Sequence, residues 1–437
     1  MTFKIACNWL EKAAKPTGDE LEASLAALRI FIGDKNVTEY GQIVEGVRPR
    51  GDEALQDKLH IPAYFLAEWL SENWWPLLYE PRKTESSDDV DFYSRHSILQ
   101  AQHGFALPNV QIEPLGEAIR VTSRPREAPI PGVRFRQSAT TIEDRNVVHG
   151  VLKAFLKVCV DRLESCGIAE TPLQRAWKDI TQTTPEQSIF CSLVGALGVN
   201  PYGASAELSA VIDAIYDSAG SMATFDLCMA STESEILQIG KSVVGDLTSV
   251  LDGPHDSTLA PLANLRLRGD NKAYPSWARG KNAAINARKL LDIDTNDQLG
   301  PDKFFDALKI STETTLQTSE EMVFSGAVDR IGDSAKFLLL QEREEARRFA
   351  ASRAVFLAIS SESESRRLVT NAMTRDQQAS RTFAAEMLVP SEYLRSRARG
   401  GKIARNDIHE IARRRRAAID VVKYQATNIG LLTNTTF

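Results

Sequence analysis

The stretch of this chain that comes closest to a metal-binding pattern is H-E-I-A-R, residues 409–413. Two histidines four residues apart share one helix face and can bind one Zn²⁺, while a glutamate between them polarises the metal-bound water. Here Arg413, a permanent cation without a lone pair, stands at the place of the second histidine. Further arginines at 414–416 repel a dication. We therefore expect His409 and Glu410 to lie on a surface helix.

The other potential metal ligands and nucleophiles are scattered. The remaining histidines do not pair at helical spacing; they are His60, His96, His103, His149 and His255. The five cysteines lack C-x-x-C spacing, which argues against a disulfide framework or a zinc knuckle. The chain has neither a G-x-x-x-x-G-K-[ST] phosphate loop nor a G-x-S-x-G nucleophile motif. We expect no metal and no other cofactor.

Two segments near the C-terminus carry a family resemblance. Residues 347–359, R-R-F-A-A-S-R-A-V-F-L-A-I, favour a helix that follows two strand-like segments, Met322–Val328 and Lys336–Leu340. Gln377–Pro390 then reads Q-Q-A-S-R-T-F-A-A-E-M-L-V-P. This second segment resembles the ImmA/IrrE family of zinc metallopeptidases, in which a helix with F-A-A-E-x-L-x-P follows the metal-binding helix. The resemblance implies a zincin-like α+β domain.

The residues at the family's chemical positions cannot support zinc chemistry. The family's metal-binding helix reads roughly R-F-x-x-A-H-E-x-x-H. Aligning its phenylalanine with Phe349 puts the two histidines and the glutamate at Arg353, Leu357 and Ala354, and Gln377 falls at the acidic third ligand. Arginine and leucine offer no lone pair, alanine is no base, and a neutral amide is a poor substitute for a carboxylate. The resemblance therefore implies a catalytically inactive relative.

A weaker match lies upstream. Residues 274–291 resemble the P-W-x-x-G-Y-x-x-A-x-x-x-R-x-x-L segment that often precedes the peptidase core in this family. The matching residues, with Ser276 as an insertion, are Pro275, Trp277, Gly280, Arg288 and Leu291.

The chain length and the positions of the loop-forming segments predict a multidomain α+β protein. A chain of 437 residues exceeds what one hydrophobic core usually supports. We expect an N-terminal mixed α/β or β-rich module over 1–140, a mostly helical region over 141–318, and the zincin-like domain over 319–437. Strands are expected at Arg29–Ile32 and Ala118–Thr122, and exposed loops at Arg82–Asp91 and Ser123–Gly132.

Local signals also predict helix starts and core residues. Thr171 and Thr184 each precede a proline and have a glutamine three residues on, which is the pattern of a capping box. One helix over 61–79 carries Trp69, Trp74 and Trp75, which we expect in the core, with a recognition surface as the alternative. A helical stripe is also expected in the core of the C-terminal domain: Phe383, Ala384, Met387 and Leu388.

Charge is unevenly distributed. The chain carries −6 overall, yet basic residues far outnumber acidic ones between 395 and 416. Arg413, Arg414, Arg415 and Arg416 are candidate binding residues, either for another protein, which we favour, or for nucleic acid. The alternative is a solvated helix face. No apolar leader segment and no long uncharged apolar stretch occur, so we expect a cytoplasmic protein without membrane contact.

These observations favour a non-catalytic pseudo-metallopeptidase. It would act as a partner-binding, scaffold or regulatory protein, and the family's setting suggests bacterial or mobile-element regulation or antiphage defence. Two alternatives remain: an active zinc-dependent endopeptidase whose ligands are aligned differently, and a nucleic-acid-binding subunit. Zinc content would separate the first alternative from the favoured hypothesis.

Overall fold

Two hydrophobic cores form, one in each of two units that comprise Met1–Ser205 and Ala206–Phe437. The computed structural model describes residues 3–10, 19–42, 55–83, 90–130, 133–239, 254–265, 275–312 and 323–432. Within these ranges the protein combines helices with antiparallel sheets, which confirms the predicted α+β class.

The first unit contains short antiparallel sheets. Its strands are β1 (Lys4–Trp9), β2 (Leu25–Ile32), β3 (Lys35–Asn36), β4 (Tyr40–Gln42), β5 (Leu55–Gln56), β6 (Leu59–Pro62), β7 (Asn109–Pro114), β8 (Ala118–Arg124), β9 (Arg126–Glu127), β10 (Val133–Phe135) and β11 (Ala139–Asp144). They pair in the orders β1-β2-β3 with β6 on β2, β5-β4-β10-β9, and β11-β8-β7. Burial alternates along β7, which places one face on the core.

Helices pack against the sheet of β1, β2, β3 and β6 and against the sheet of β7, β8 and β11. The helices of the first unit are α1 (Glu20–Ala23), α2 (Tyr64–Glu72), α3 (Trp74–Tyr79), α4 (Val90–His96), α5 (Arg145–Ser165), α6 (Pro172–Gln182) and α7 (Pro185–Ala196). Short 3₁₀ turns span Ile98–Ala101 and Pro201–Gly203. Both expected capping boxes form, at Thr171 of α6 and Thr184 of α7. None of the helices in the described ranges is both long and apolar enough to cross a membrane.

The tryptophan-rich segment forms two helices rather than the single expected helix. Asn73 separates α2 from α3, and Pro76 lies in the first turn of α3, where its missing N–H is not needed. The three tryptophans are buried as predicted, with Trp74 only 2% exposed. Helix α7 packs so closely on α3 that a Cβ at Gly195 would lie 2.8 Å from the Cβ of Trp75.

The two units divide the chain differently from the three expected regions. Helix α5 packs on β1 and β11, α6 on α2, and α7 on α3, so the chain from 141 to 205 belongs with the N-terminal strands. Helices beyond residue 206 belong instead with the C-terminal sheet. The expected mostly helical region is therefore shared between the two units, because its helices complete two different cores.

Two expected loops are partly ordered. Strand β8 continues to Arg124, and β9 pairs with β10 through Arg126↔Phe135 and Glu127↔Arg134, so four residues of the expected loop Ser123–Gly132 are strand. Residues 131–132 lie outside the described ranges. In the expected loop Arg82–Asp91, α4 already begins at Val90, and residues 84–89 lie outside the described ranges.

The second unit packs helices against one antiparallel sheet. Its strands, in the order β12-β14-β13-β15, are β12 (Ser257–Thr258), β13 (Phe324–Ile331), β14 (Ser334–Leu339) and β15 (Glu364–Thr370). Its helices are α8 (Ala206–Ala219), α9 (Ser221–Ala230), α10 (Ser276–Leu290), α11 (Gly300–Ala307), α12 (Glu344–Ile359), α13 (Arg375–Leu388), α14 (Ser391–Arg397), α15 (Arg405–Arg415) and α16 (Ile419–Asn428). Residues 233–239 are also helical, and Ala260–Leu262 form a 3₁₀ turn.

The predicted strand–strand–helix order is present in β13, β14 and α12, although Met322 lies outside the described ranges. Helix α12 packs on the sheet and on α13. Helix α10 crosses α13 at Gly280, where a Cβ would lie 2.1 Å from the carbonyl oxygen of Ala379. The expected stripe of Phe383, Ala384, Met387 and Leu388 is buried.

Candidate functional site

Two of the residues that the resemblance predicts at metal-ligand positions meet in the core of the second unit. Arg353 lies on α12, and Gln377 lies in the first turn of α13, where Thr374 caps the helix by accepting from the Gln377 backbone N–H. The Nη2 of Arg353 donates to the Oε1 of Gln377 over 2.8 Å. Both side chains are buried. The pair lies where α12, the start of α13 and the end of β15 converge.

The guanidinium of Arg353 has two further acceptors. Its Nη2 donates to the Thr370 carbonyl at 2.5 Å, and its Nε donates to the Ser380 hydroxyl at 3.1 Å. Burial and the charge of Arg381 lower the pKa of Arg353 to about 9, so the group is still a cation at neutral pH. A fixed positive charge therefore occupies this part of the core.

The other two aligned positions are apolar packing positions. Ala354 and Leu357 are fully buried on α12 and belong to the hydrophobic core of the second unit. Neither side chain can supply a base or a lone pair. The structure thus brings Arg353 and Gln377 into contact and uses Ala354 and Leu357 for packing.

Asp226 on α9 completes the buried network, and sequence reasoning missed it. Its carboxylate accepts from Arg367 at 2.7 and 3.1 Å, from the Leu368 backbone N–H at 3.0 Å, and from the Gln377 Nε2 at 3.2 Å. Asp226 is the only charged residue of α9. A lone carboxylate in an otherwise uncharged helix was the available signal, because a buried charge requires a partner.

Arg367 links this network to a second carboxylate. Burial by itself lowers the pKa of Arg367, but the charge of Asp226 and its hydrogen bonds outweigh burial and raise that pKa. The Nη1 of Arg367 lies 3.6 Å from Asp376, which also accepts from Arg279 at 2.5 Å. Burial alone raises the pKa of Asp376, yet the charges of Arg367 and Arg279 lower it overall.

The result is an alternating set of charges rather than a metal site. Asp226 pairs with Arg367, Asp376 lies between Arg367 and Arg279, and the Gln377 amide lies between Arg353 and Asp226. Across the described part of the chain, no group of three or more His, Cys, Asp or Glu side chains is placed to hold a metal ion. Chemically, the arrangement can orient and stabilise the helices, but it offers neither a metal ligand set nor a free base.

His409 and Glu410 lie on α15, after the F-A-A-E helix as expected. His409 is exposed, and the carboxylate of Glu410 contacts Arg414 and lies 3.7 Å from Arg397. Both cations neutralise the carboxylate.

The four consecutive arginines have separate environments. Arg415 is buried, donates to the carbonyls of Thr295 and Asp297, and lies 4.2 Å above the Tyr393 ring. The other three are exposed. Arg416 has the left-handed backbone conformation at the end of α15 and pairs with Glu344 and Asp302. Arg414 pairs with Glu410. Arg413 contacts no carboxylate within the described ranges.

Comparison of this chain with models of protein families, with curated proteins and with solved structures gives no match.

Proposed function

We propose that the C-terminal part of this chain is a non-catalytic pseudo-metallopeptidase of the ImmA/IrrE type. In this proposal the domain acts as a partner-binding, scaffold or regulatory element, in a bacterial or mobile-element regulatory system that includes antiphage defence. The observation that carries the proposal is the contact between Arg353 and Gln377, 2.8 Å apart. Ligands of one metal ion must converge, and the resemblance assigns these two residues to ligand positions.

The chemistry of this contact favours a site that has lost metal binding over a site that binds a different metal. A guanidinium places its own positive charge in the core, and a dication beside it would be strongly repelled at such a short distance. Thr370 accepts a second hydrogen bond from Nη2 and Ser380 accepts one from Nε, so the cation is held in place. Ala354 provides no base that could activate a water molecule. Binding, not catalysis, is the role that these residues favour.

The active-peptidase alternative needs three ligands elsewhere. Its best candidate pair, His409 and Glu410, has Arg413 at the second histidine position, and the Glu410 carboxylate is already engaged by Arg397 and Arg414. This local excess of positive charge disfavours Zn²⁺. The alternative therefore has less support than the pseudo-enzyme.

Elemental analysis of the purified full-length chain tests the proposal. We expect substoichiometric zinc and no peptidase activity that a chelator removes. One zinc per chain, lost together with activity on chelation, would contradict the proposal.

A gain-of-metal variant tests the family relationship separately. Arg353→His, Ala354→Glu, Leu357→His and Gln377→Glu together rebuild the expected ligand set, and we expect the folded variant to bind one Zn²⁺ or Co²⁺ per chain. A matched control keeps Arg353 and carries the other three changes; it should bind none. If the folded fourfold variant binds no metal, as judged by the Co²⁺ absorption spectrum, the resemblance does not extend to the ligand positions.

A further inference from the structure

A basic face lies on α15 and on the turn that precedes it. It consists of Arg399, Lys402, Arg405, His409 and Arg413, all of them exposed. Arg399 and Lys402 face each other across a tight antiparallel bridge, and α15 begins three residues after Lys402. Arg405, His409 and Arg413 follow at four-residue spacing. They therefore share one side of the helix over about 12 Å of its length.

The orientation of this basic face is fixed by the buried side of the same helix. Ile408, Ile411, Ala412 and Arg415 are buried. Arg415 in particular is held by two backbone carbonyls and by the Tyr393 ring. A helix anchored in this way cannot rotate to bury Arg405, His409 and Arg413, so these side chains point to solvent in the folded unit.

The charges of the basic face are not neutralised within the described residues. Arg399, Lys402, Arg405 and Arg413 have no carboxylate partner there, in contrast to Arg416, which pairs with Glu344 and Asp302. Glu410 is shared by Arg397 and Arg414 at the border of the basic face. An uncompensated row of cations of this kind attracts a polyanion.

The composition of the surface discriminates between kinds of polyanion. Among residues 391–418, which include the whole basic face and are all described, no large hydrophobic side chain is exposed; the next ones along the chain are Ile419 and Tyr424 on α16, which are 37% and 59% exposed. Protein partners usually require an aromatic or aliphatic anchor at the centre of the interface. Single-stranded nucleic acids are usually bound through aromatic side chains on which the bases stack. The phosphate backbone of a duplex needs neither, because cations alone supply most of its sequence-independent affinity.

We propose that the basic face binds the phosphate backbone of double-stranded nucleic acid, without sequence preference. This inference does not depend on the pseudo-peptidase assignment, since none of its residues belongs to the network around Arg353. The acidic balance of the whole chain, −6, opposes binding only weakly at physiological salt, where charges farther than about 8 Å are largely screened. A contact with about four phosphates predicts a log–log salt slope of about −4.

The test is a salt titration in which duplex binding is measured by fluorescence anisotropy. The probe is a mixed-sequence DNA duplex of about 20 base pairs, and affinity should fall about 150-fold to 250-fold for a fourfold rise in salt. Arg405→Gln and Arg413→Gln should each reduce the slope by about one. Lys178→Gln, which removes an exposed cation of α6, should leave it unchanged. Unaltered melting temperatures would show that all three variants fold.

Three results would overturn the proposal. The first is no duplex binding at low salt, and the second is binding that Arg405→Gln and Arg413→Gln do not weaken. The third is tighter binding of poly-glutamate or of the single strand than of the duplex, which would assign the basic face to an acidic protein or to unpaired nucleic acid. The proposal is supported if the protein prefers the duplex and both variants lower the salt dependence of its affinity.

Discussion

Gln377 joins Arg353 to Asp226 through opposite ends of one buried amide. Its Oε1 accepts from Arg353 at 2.8 Å and from the Thr370 backbone N–H at 3.2 Å. Its Nε2 donates to Asp226 at 3.2 Å and to the Leu368 carbonyl at 2.7 Å. All four hydrogen-bonding positions of the amide are therefore in use. A neutral side chain separates a buried cation from a buried anion and satisfies both.

Removing the anion should destabilise the second unit more than removing the cation. Asp226→Asn leaves the buried Arg367 without its main counter-charge, and we expect a loss of about 3 to 5 kcal/mol. Arg353→Met breaks hydrogen bonds whose remaining partners are neutral, and we expect a loss of about 1 to 3 kcal/mol. Chemical unfolding of both variants gives the comparison. The reverse order would show that Arg353, not Asp226, is the main charge of the network.

The crossing of α10 and α13 should not tolerate a side chain at Gly280. Gly280→Ala places a Cβ 2.1 Å from the Ala379 carbonyl oxygen, so the helices must separate, at a cost of about 1 to 3 kcal/mol or more. Gly150→Ala is the matched control, because it lies within α5 and a Cβ there meets nothing within 4 Å. The control should be neutral or more stable by up to about 1 kcal/mol. Calorimetry of the two variants distinguishes packing from helix propensity.

Phe383 should be a major contributor to the core of the second unit. Its ring is fully buried and lies 5.5 Å from that of Phe356 and 6.3 Å from that of Phe304. Phe383→Ala should reduce the free energy of unfolding by about 3 to 5 kcal/mol. Tyr424→Ala, at a side chain that is 59% exposed, should change it by less than about 0.5 kcal/mol. Equal melting temperatures for the two variants would contradict the packing of α13.

The first unit should lose stability in acid through Glu80. Burial alone raises the pKa of this carboxyl, but hydrogen bonds from Arg95 at 2.7 and 2.5 Å and the contact with His96 at 3.1 Å bring it to about 2. The ordinary value is 4.5. Because the folded pKa is the lower one, the stabilisation is fully present above pH 4.5 and is lost as the pH falls toward 2.

Glu80→Gln provides the comparison for that pH dependence. The fall in pKa corresponds to about 3 kcal/mol, so the variant should be less stable than wild type by about that amount at neutral pH. The difference should shrink to near zero as the pH approaches 2. Unfolding curves recorded across this range measure it. A difference independent of pH would mean that the lost stability comes from packing rather than from the charge.

The features that the sequence predicted well are those encoded by neighbouring residues. The capping boxes at Thr171 and Thr184 depend on side chains three residues apart, and both form. The buried tryptophans follow from the size of their apolar surface. The break at Asn73 was missed because the apolar pattern runs through α2 and α3 without interruption, although Pro76 marks the new helix.

The features that it did not reveal depend on contacts between distant segments. Asp226 lies 151 residues from Gln377, and no motif connects them. Arg415 belongs to a run of four arginines, and only the packing of α15 against Tyr393 determines that this one is buried. The same packing leaves Arg413 exposed, in line with His409 and Arg405. A run of identical charges thus acquires distinct roles only in three dimensions.

The cation at the centre of the second unit is a covalent part of the polypeptide. Every folded copy therefore carries it, whatever ions the surrounding solution contains. Proteins that rely on a bound metal at such a position couple their folding to the supply of that metal, because binding energy becomes folding energy. In this chain Arg353 completes its hydrogen bonds as α12 and α13 pack. At this contact the chain itself supplies the positive charge, so the charge between α12 and α13 does not depend on ions in solution.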